Sequence, residues 1–291
     1  MRRAVRRAAG LAAALTLIGA AAAGAAPTAG LPTADAPVAA PVAAGTPMFP
    51  LFGRKSNGRL YGYEPKGTGG VKPAVDLGGG YAEATAIVQA NVSENGAGND
   101  LYFRMGTKLY YAAERGGDTK LIGGGWDIYN LLLSVGDLGG TTHPDLVARD
   151  AAGALWLYQG RADGSLAARI KIGTSGWNGM DQLAGRGDFT GDGKADLLAR
   201  STTGTLYIYP GTGNAAEGAA LGSRITVGTG WDAYKTLVSS GDNDGDGKAD
   251  LIAADAAGLL WLFKGTGSAT TPFAARVQIG TSGWAAFNTL F

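Results

Sequence analysis

Apolar residues in this chain come in short runs of alternating character. Leu260 and Leu262 alternate with Trp261 and Phe263, and runs of this kind are separated by Gly, Asp, Ser and Thr. A period of two bounded by turn residues predicts β-strands, and helical spacing is absent beyond the first two dozen residues. In the last full unit the pattern predicts four strands, over 234–240, 251–254, 259–264 and 276–279.

The runs repeat. A Gly-x-Leu-aromatic unit ends at Tyr61, Trp156, Tyr207 and Trp261, with a looser copy at Tyr110, and a Gly-Trp or Gly-Tyr unit ends at Tyr81, Trp126, Trp177, Trp231 and Trp284. A third marker, Asp-Leu-apolar-Ala-Arg, runs over 145–149 and 196–200, with echoes at 100–104 and 250–254. All three share a period of about 50 residues, which makes five copies of four strands, the signature of a β-propeller. The fold class expected is all-β, a five-bladed β-propeller of four-stranded blades.

The two ends are complementary halves. Residues 284–291 match 231–238, a first strand with nothing behind it, and residues 48–54 match the second strand of other units. The C-terminal strand would therefore complete the N-terminal blade and close the ring, leaving no open sheet edge. The alternative is a partial propeller completed by oligomerisation.

The first residues change the picture of where the chain works. Arg2, Arg3, Arg6 and Arg7 precede an Ala-rich apolar stretch and the small-residue site Ala23-Gly24-Ala25, the layout of a secretory signal peptide over 1–25. A membrane anchor is the alternative, although the stretch is short for a span. Residues 26–47, rich in Ala, Pro, Thr and Val with Asp35 as the one charge, read as a disordered linker, and 48–291 as the propeller. The expectation is a secreted, extracellular monomer without a membrane span after cleavage.

Removing those four arginines leaves 21 basic against 24 acidic residues, and no basic stripe remains to suit nucleic acid or an anionic membrane. There is no cysteine, so stability must come from packing, metal or both.

Candidate chemistry concentrates in one recurring loop. In 242–250, Asp242, Asp244, Asp246 and Asp250 occupy positions 1, 3, 5 and 9, and the Lys248 carbonyl at position 7 adds another oxygen, a donor set for Ca2+. It is no EF-hand, because position 12 is Ala253. The copy at 188–196 offers Asp188, Thr190, Asp192 and Asp196 with the Lys194 carbonyl, a weaker set because Thr190 is neutral. The copy at 137–145 keeps only Asp137 and Asp145, and the copy ending at Asp100 is longer and scrambled. The competing reading is a plain Asp/Gly turn without metal; four mutually repelling acids argue against it in 242–250. Any metal there would be structural, since the loop fills its own ligand positions.

The stretch 187–200, Gly-Asp-x-x-Gly-Asp-Gly-Lys-Ala-Asp-Leu-Leu-Ala-Arg, and its variant at 241–254 resemble the FG-GAP/VCBS repeat family, which includes the integrin α-chain propeller and many secreted bacterial proteins. The resemblance covers 48–291 and implies a β-propeller whose calcium loops join the first and second strands of a blade. Five copies with Gly-Trp before the first strand also resemble the five-bladed tachylectin-like lectins.

Tyr81, Trp126, Trp177, Trp231 and Trp284 are either inter-blade packing or platforms for sugar rings, and are the candidate ligand-binding residues. Arg54, Arg104, Arg149 and Arg200 share one position; they either bind anions or bond the carbonyls of a neighbouring blade. His143 is the one histidine, which makes a Ser-His-Asp triad improbable. No catalytic residues are assigned. The functional expectation is a non-catalytic binding or adhesion module for carbohydrate or a cell-surface partner, with a propeller glycosidase or a purely structural scaffold as the alternatives.

Overall fold

The computed structural model describes residues 46–93, 100–113 and 119–291. The expected signal peptide, and all of the expected linker but Thr46 and Pro47, lie outside the described residues. β1 (Leu51–Lys55), β2 (Leu60–Tyr63) and β3 (Val75–Gly78) belong to blade 1, and β4 (Ala84–Ala90), β5 (Asp100–Met105), β6 (Lys108–Ala112) and β7 (Thr119–Gly123) to blade 2. Blade 3 holds β8 (Tyr129–Gly136), β9 (Asp145–Asp150), β10 (Leu155–Tyr158) and β11 (Ile170–Gly173). Blade 4 holds β12 (Met180–Ala184), β13 (Leu197–Ser201), β14 (Leu206–Tyr209) and β15 (Ile225–Gly228). Blade 5 holds β16 (Tyr234–Val238), β17 (Leu251–Asp255), β18 (Leu260–Phe263) and β19 (Val277–Gly280). The final strand, β20 (Phe287–Leu290), pairs antiparallel with β1, Gly53 opposite Leu290 and Arg54 opposite Thr289, so the chain end completes blade 1 as expected.

The sequence markers have physical reasons. The leucine of each Gly-x-Leu-aromatic unit (Leu60, Leu109, Leu155, Leu206, Leu260) is buried, and each such side chain contributes about 1.5–3 kcal/mol of burial. The aromatic that follows faces the other side of the sheet, where the register between third and fourth strands slips by a residue in all five blades. The Gly-Trp unit becomes a single 3-10 turn leading into the first strand at Trp126–Ile128, Trp177–Gly179, Trp231–Ala233 and Trp284–Ala286. Gly125, Gly176, Gly230 and Gly283 open those turns in the left-handed region with φ between 78° and 89°, a conformation a side chain disfavours.

The core is five separate clusters, each shared by two neighbouring blades. Leu51, Ile252, Leu260, Trp284 and Phe287 form the one that joins blade 5 to blade 1. The buried apolar surface thus lies in the seams, and the ring stands or falls with its closure. Among the described residues no helix is long and apolar enough to cross a membrane.

Candidate metal loops at the blade seams

Two of the period-50 markers meet across the seams. The backbone N–H of Tyr81, Trp177, Trp231 and Trp284 donates to the carbonyl of Gly58, Gly153, Gly204 and Gly258 on the preceding blade, at 3.2, 3.2, 3.0 and 3.3 Å. The repeated arginine fastens the same turn. Arg104 Nη1 donates to the Trp126 carbonyl at 2.9 Å and also to that of Tyr129; Arg149 Nη1 reaches the Trp177 carbonyl at 2.8 Å and that of Met180 at 2.6 Å. Arg54 holds the carbonyls of Tyr81 and Ala84, and Arg200 those of Trp231 and Tyr234. These are inter-blade clamps, and burial lowers the pKa of Arg104 and Arg149 while leaving them charged. The seam from blade 5 to blade 1 lacks the clamp, because Ala254 stands in the arginine position.

The recurring aromatics lie inside the blades. Tyr81, Trp126, Trp231 and Trp284 are buried and Trp177 is half-buried. Trp126 packs on Tyr158, Trp177 on Tyr209, Trp231 on Phe263 and Trp284 on Tyr63, each with ring centroids 4.6 or 4.7 Å apart; Tyr81 meets Phe103 edge-on. The arrangement is that of core packing, with little indole face left for a sugar ring.

The Asp loops join the first and second strands of blades 3, 4 and 5. Their ninth residue organises them. Asp145, Asp196 and Asp250 are fully buried, and each carboxylate accepts three backbone N–H groups from equivalent places. For Asp196 the donors are Phe189, Thr190 and Gly211 at 2.9–3.0 Å; for Asp250 they are Asn243, Asp244 and Gly265; for Asp145 they are Leu138, Gly139 and Gly160. The third donor is always a glycine, and it approaches so closely that a Cβ would lie 2.2, 1.9 or 2.1 Å from the carbonyl oxygen of Pro144, Ala195 or Ala249. A glycine fifteen residues after the aspartate was a readable signal that the sequence reasoning missed. In blade 2 Asp100 plays the same part with different partners, accepting from the Ser93 amide and hydroxyl and the Tyr111 hydroxyl. The rest of that loop, 94–99, lies outside the described residues.

The first residue of each loop folds the turn itself. Asp188 accepts from the backbone of Thr190, Gly191, Asp192 and Gly193, Asp242 from Gly245, Asp246 and Gly247, and Asp137 from Thr141 and Thr142.

These contacts draw the acids together. Carboxylate oxygens of Asp188, Asp192 and Asp196 all lie within 4.8 Å of one another, and so do those of Asp242, Asp244 and Asp250. Thr190 joins the first set at its edge, its hydroxyl 3.3 Å from Asp188 Oδ1. Asp246 stands outside the second set, exposed, with its carboxylate turned to Lys248. Asp244 carries a partner of its own, Lys264 Nζ at 2.7 Å. Lys194 and Lys248 follow their loop acids, each backbone N–H donating to the residue two before it at 3.0 Å. Burial first, and then neighbouring loop carboxylates, pushes Asp196 and Asp250 up to about 6, against the amide donors that favour the ionised form; burial and Asp137 push Asp145 to about 7.

Each Asp loop also leans on the next blade. A Cβ on Gly140, Gly191 or Gly245 would touch the carbonyl of Gly213, Gly267 or Gly67, which belong to blades 4, 5 and 1. The 242–250 loop is the most connected. Asn243 accepts the amides of Gly69 and Gly70 from blade 1, Asp242 donates its N–H to the Pro47 carbonyl, and Met48 bridges to Gly241. The most acidic loop therefore sits at the closing seam, where the arginine clamp is missing.

The family model for FG-GAP-like repeats matches residues 137–199 and 188–253, which hold all three Asp loops complete. No curated protein sequence matches the chain. Among solved structures, BP39L lectin from Burkholderia pseudomallei is 13% identical, with 82% of this chain and 72% of that one covered at a TM-score of 0.46. A protein of unknown function from Bacteroides caccae is 10% identical, over 79% and 73% of the two chains, with a TM-score of 0.38. A chain of a nidogen/laminin complex is 11% identical, over 85% and 84%, with a TM-score of 0.40.

Proposed function

We propose that this chain is a secreted, non-catalytic binding propeller whose seams are stabilised by two calcium ions and which presents its loops to a carbohydrate or a cell-surface partner. The observation that carries the reading is the convergence of three carboxylates in each of two loops that their own backbone amides have already shaped. Asp188, Asp192 and Asp196, with Thr190 and the Lys194 carbonyl, would hold one ion; Asp242, Asp244 and Asp250, with the Lys248 carbonyl, the other. Asp246, turned outward, is the member of the expected set that the loop geometry supports least. A bound cation supplies the positive charge that offsets the like charges crowding Asp196 and Asp250.

The donors come from within each loop, and both loops press on the next blade, so the ion has a structural part. The partner is left to the exposed loops rather than to the buried aromatics. A glycan array probed with the secreted form, in calcium and again in EDTA, tests the binding role: calcium-dependent capture of a restricted set of glycans supports it, and hydrolysis of an array sugar would replace it with the glycosidase reading.

A further inference from the structure

Arg186 breaks the repeat. Nine residues after the marker aromatic, blades 2, 3 and 5 place Ala90, Val135 and Ser240, and blade 4 alone places a charge. Its backbone has φ 76°, between Gly185 and Gly187, a conformation that costs a residue with a side chain about 1–3 kcal/mol. The side chain runs across the axis of the ring, from blade 4 to blade 2. Nη1 donates to the Gln89 side-chain carbonyl and Nη2 to the Gln89 backbone carbonyl at 2.7 Å, and the guanidinium lies 5.5 Å from the Phe49 ring centroid.

This bridge divides the axial channel. On one side is a cavity of about 300 Å3 walled by the first strands; on the loop side is a larger one of about 530 Å3, and Arg186 lines both. The larger cavity mixes apolar groups, Phe49 and Pro144, with the polar side chains of Asn91, Ser134 and Thr142. Its size suits a molecule of monosaccharide dimensions.

A strut that merely filled the channel would need no charge. Gln89 offers two neutral oxygens, and among the described residues no carboxylate pairs with Arg186. Asp137 and Asp188 share the cavity wall, but their oxygens are taken up by the amides of their own loops. An interior cation without a counter-ion is costly unless something supplies one. Arg186 has five N–H donors in a planar fork and uses two on Gln89, which leaves donors for a planar anion.

We infer that the larger axial cavity binds a small monoanionic organic acid, its carboxylate held by Arg186 and its body between Phe49 and the Ser134 wall. The Asp loops wall one side of this cavity through Asp137 and Asp188, but the carboxylate would be held by Arg186, which is no part of them.

The test is calorimetric titration of the intact protein, in saturating calcium, with D-glucuronate, N-acetylneuraminate and L-lactate as probes, and with D-glucose and inorganic sulfate as controls. One site per chain is expected for at least one of the acids, with glucose inert. Arg186→Gln should weaken that binding at least tenfold. Ser134→Leu, which narrows the cavity without touching the guanidinium, should weaken it too and serves if the first variant does not fold. Failure of all three acids to bind at millimolar concentration, or glucose binding as well as glucuronate, overturns the inference. Binding of sulfate alone overturns the organic-acid assignment and leaves a bare oxyanion site. Calcium uptake is read in a separate titration, so either result can fail without the other.

Discussion

Arg200 reaches out of its own blade and donates from Nη1 to the carbonyl oxygen of Trp231, 2.9 Å away at the entrance to the next blade. Asp181 braces it from behind with a two-pronged contact, both oxygens at 2.8 Å. The same reach recurs from Arg54, Arg104 and Arg149, so the ring is held by four guanidinium clamps and one seam without a clamp.

Removing a clamp leaves buried carbonyls without donors, which costs about 1–3 kcal/mol per group. Arg200→Ala is expected to destabilise the propeller by about 2–4 kcal/mol, and Arg200→Lys by nearly as much, since an ammonium cannot reproduce the fork. Urea unfolding monitored by tryptophan fluorescence checks this. A loss under 0.5 kcal/mol would show that the clamp is decorative.

The glycine fifteen residues after each buried aspartate is equally specific. Gly211 places its N–H on Asp196 only because nothing fills the 1.9 Å between a would-be Cβ and the Ala195 carbonyl. Gly211→Ala must move backbone or break that bond, and a loss of about 2–3 kcal/mol is expected in the same unfolding experiment, on the scale of other overpacked sites.

Most of this architecture was legible in the sequence. Leu260 and Trp261 revealed alternation, and the markers at Gly258 and Trp284 revealed a period; in the structure those two residues touch, so their common spacing was a contact seen twice. The loops at 188–196 and 242–250 were legible because backbone-shaping acids must sit at fixed positions. Which acids converge was not. In 188–196 position 3 is Thr190, so position 5 supplies the third carboxylate; in 242–250 both positions are acids, and it is Asp244, paired with Lys264 from beyond the loop, that joins the set while Asp246 turns to Lys248. The role of Arg186 was hidden as well, because crossing the axis to Gln89 joins residues 97 apart that no local pattern relates.

Acidity should report on the loops in metal-free protein. Asp145 holds its proton up to about pH 7 in the fold and Asp196 and Asp250 up to about 6, whereas an unfolded chain releases them near 4. Between about pH 4 and 7 the native state binds more protons than the unfolded state, so stability falls as pH rises through that window and levels off above it. In EDTA, the melting temperature contributed by these groups is expected to be higher at pH 5.5 than at pH 8. Calcium, which needs ionised ligands, should bind more weakly below pH 6. Melting curves at the two pH values, with and without calcium, check both signs; a metal-free melting temperature that climbs from pH 5.5 to 8 would contradict the first.

The convergent acids can be separated from the turn-forming ones. Asp192 and Asp244 accept few loop amides, so Asp192→Asn and Asp244→Asn should leave the EDTA melting temperature within about 2 °C of wild type while each removes one calcium site. Asp242→Ala strips the turn of its acceptor for three amides and should lower stability even in EDTA. Differential scanning calorimetry of the three variants, in calcium and in EDTA, distinguishes the two classes.

The central claim is that two ions fasten the seams from blade 4 to 5 and from blade 5 to 1. Calorimetric titration of chelator-stripped protein with Ca2+, paired with thermal unfolding, tests it most directly. Two ions per chain are expected, with the 242–250 site the tighter. At a hundred times Kd each ion adds about 2.7 kcal/mol, enough to raise the melting temperature by several degrees. No heat of binding, together with an unchanged melting temperature in millimolar calcium, would contradict it.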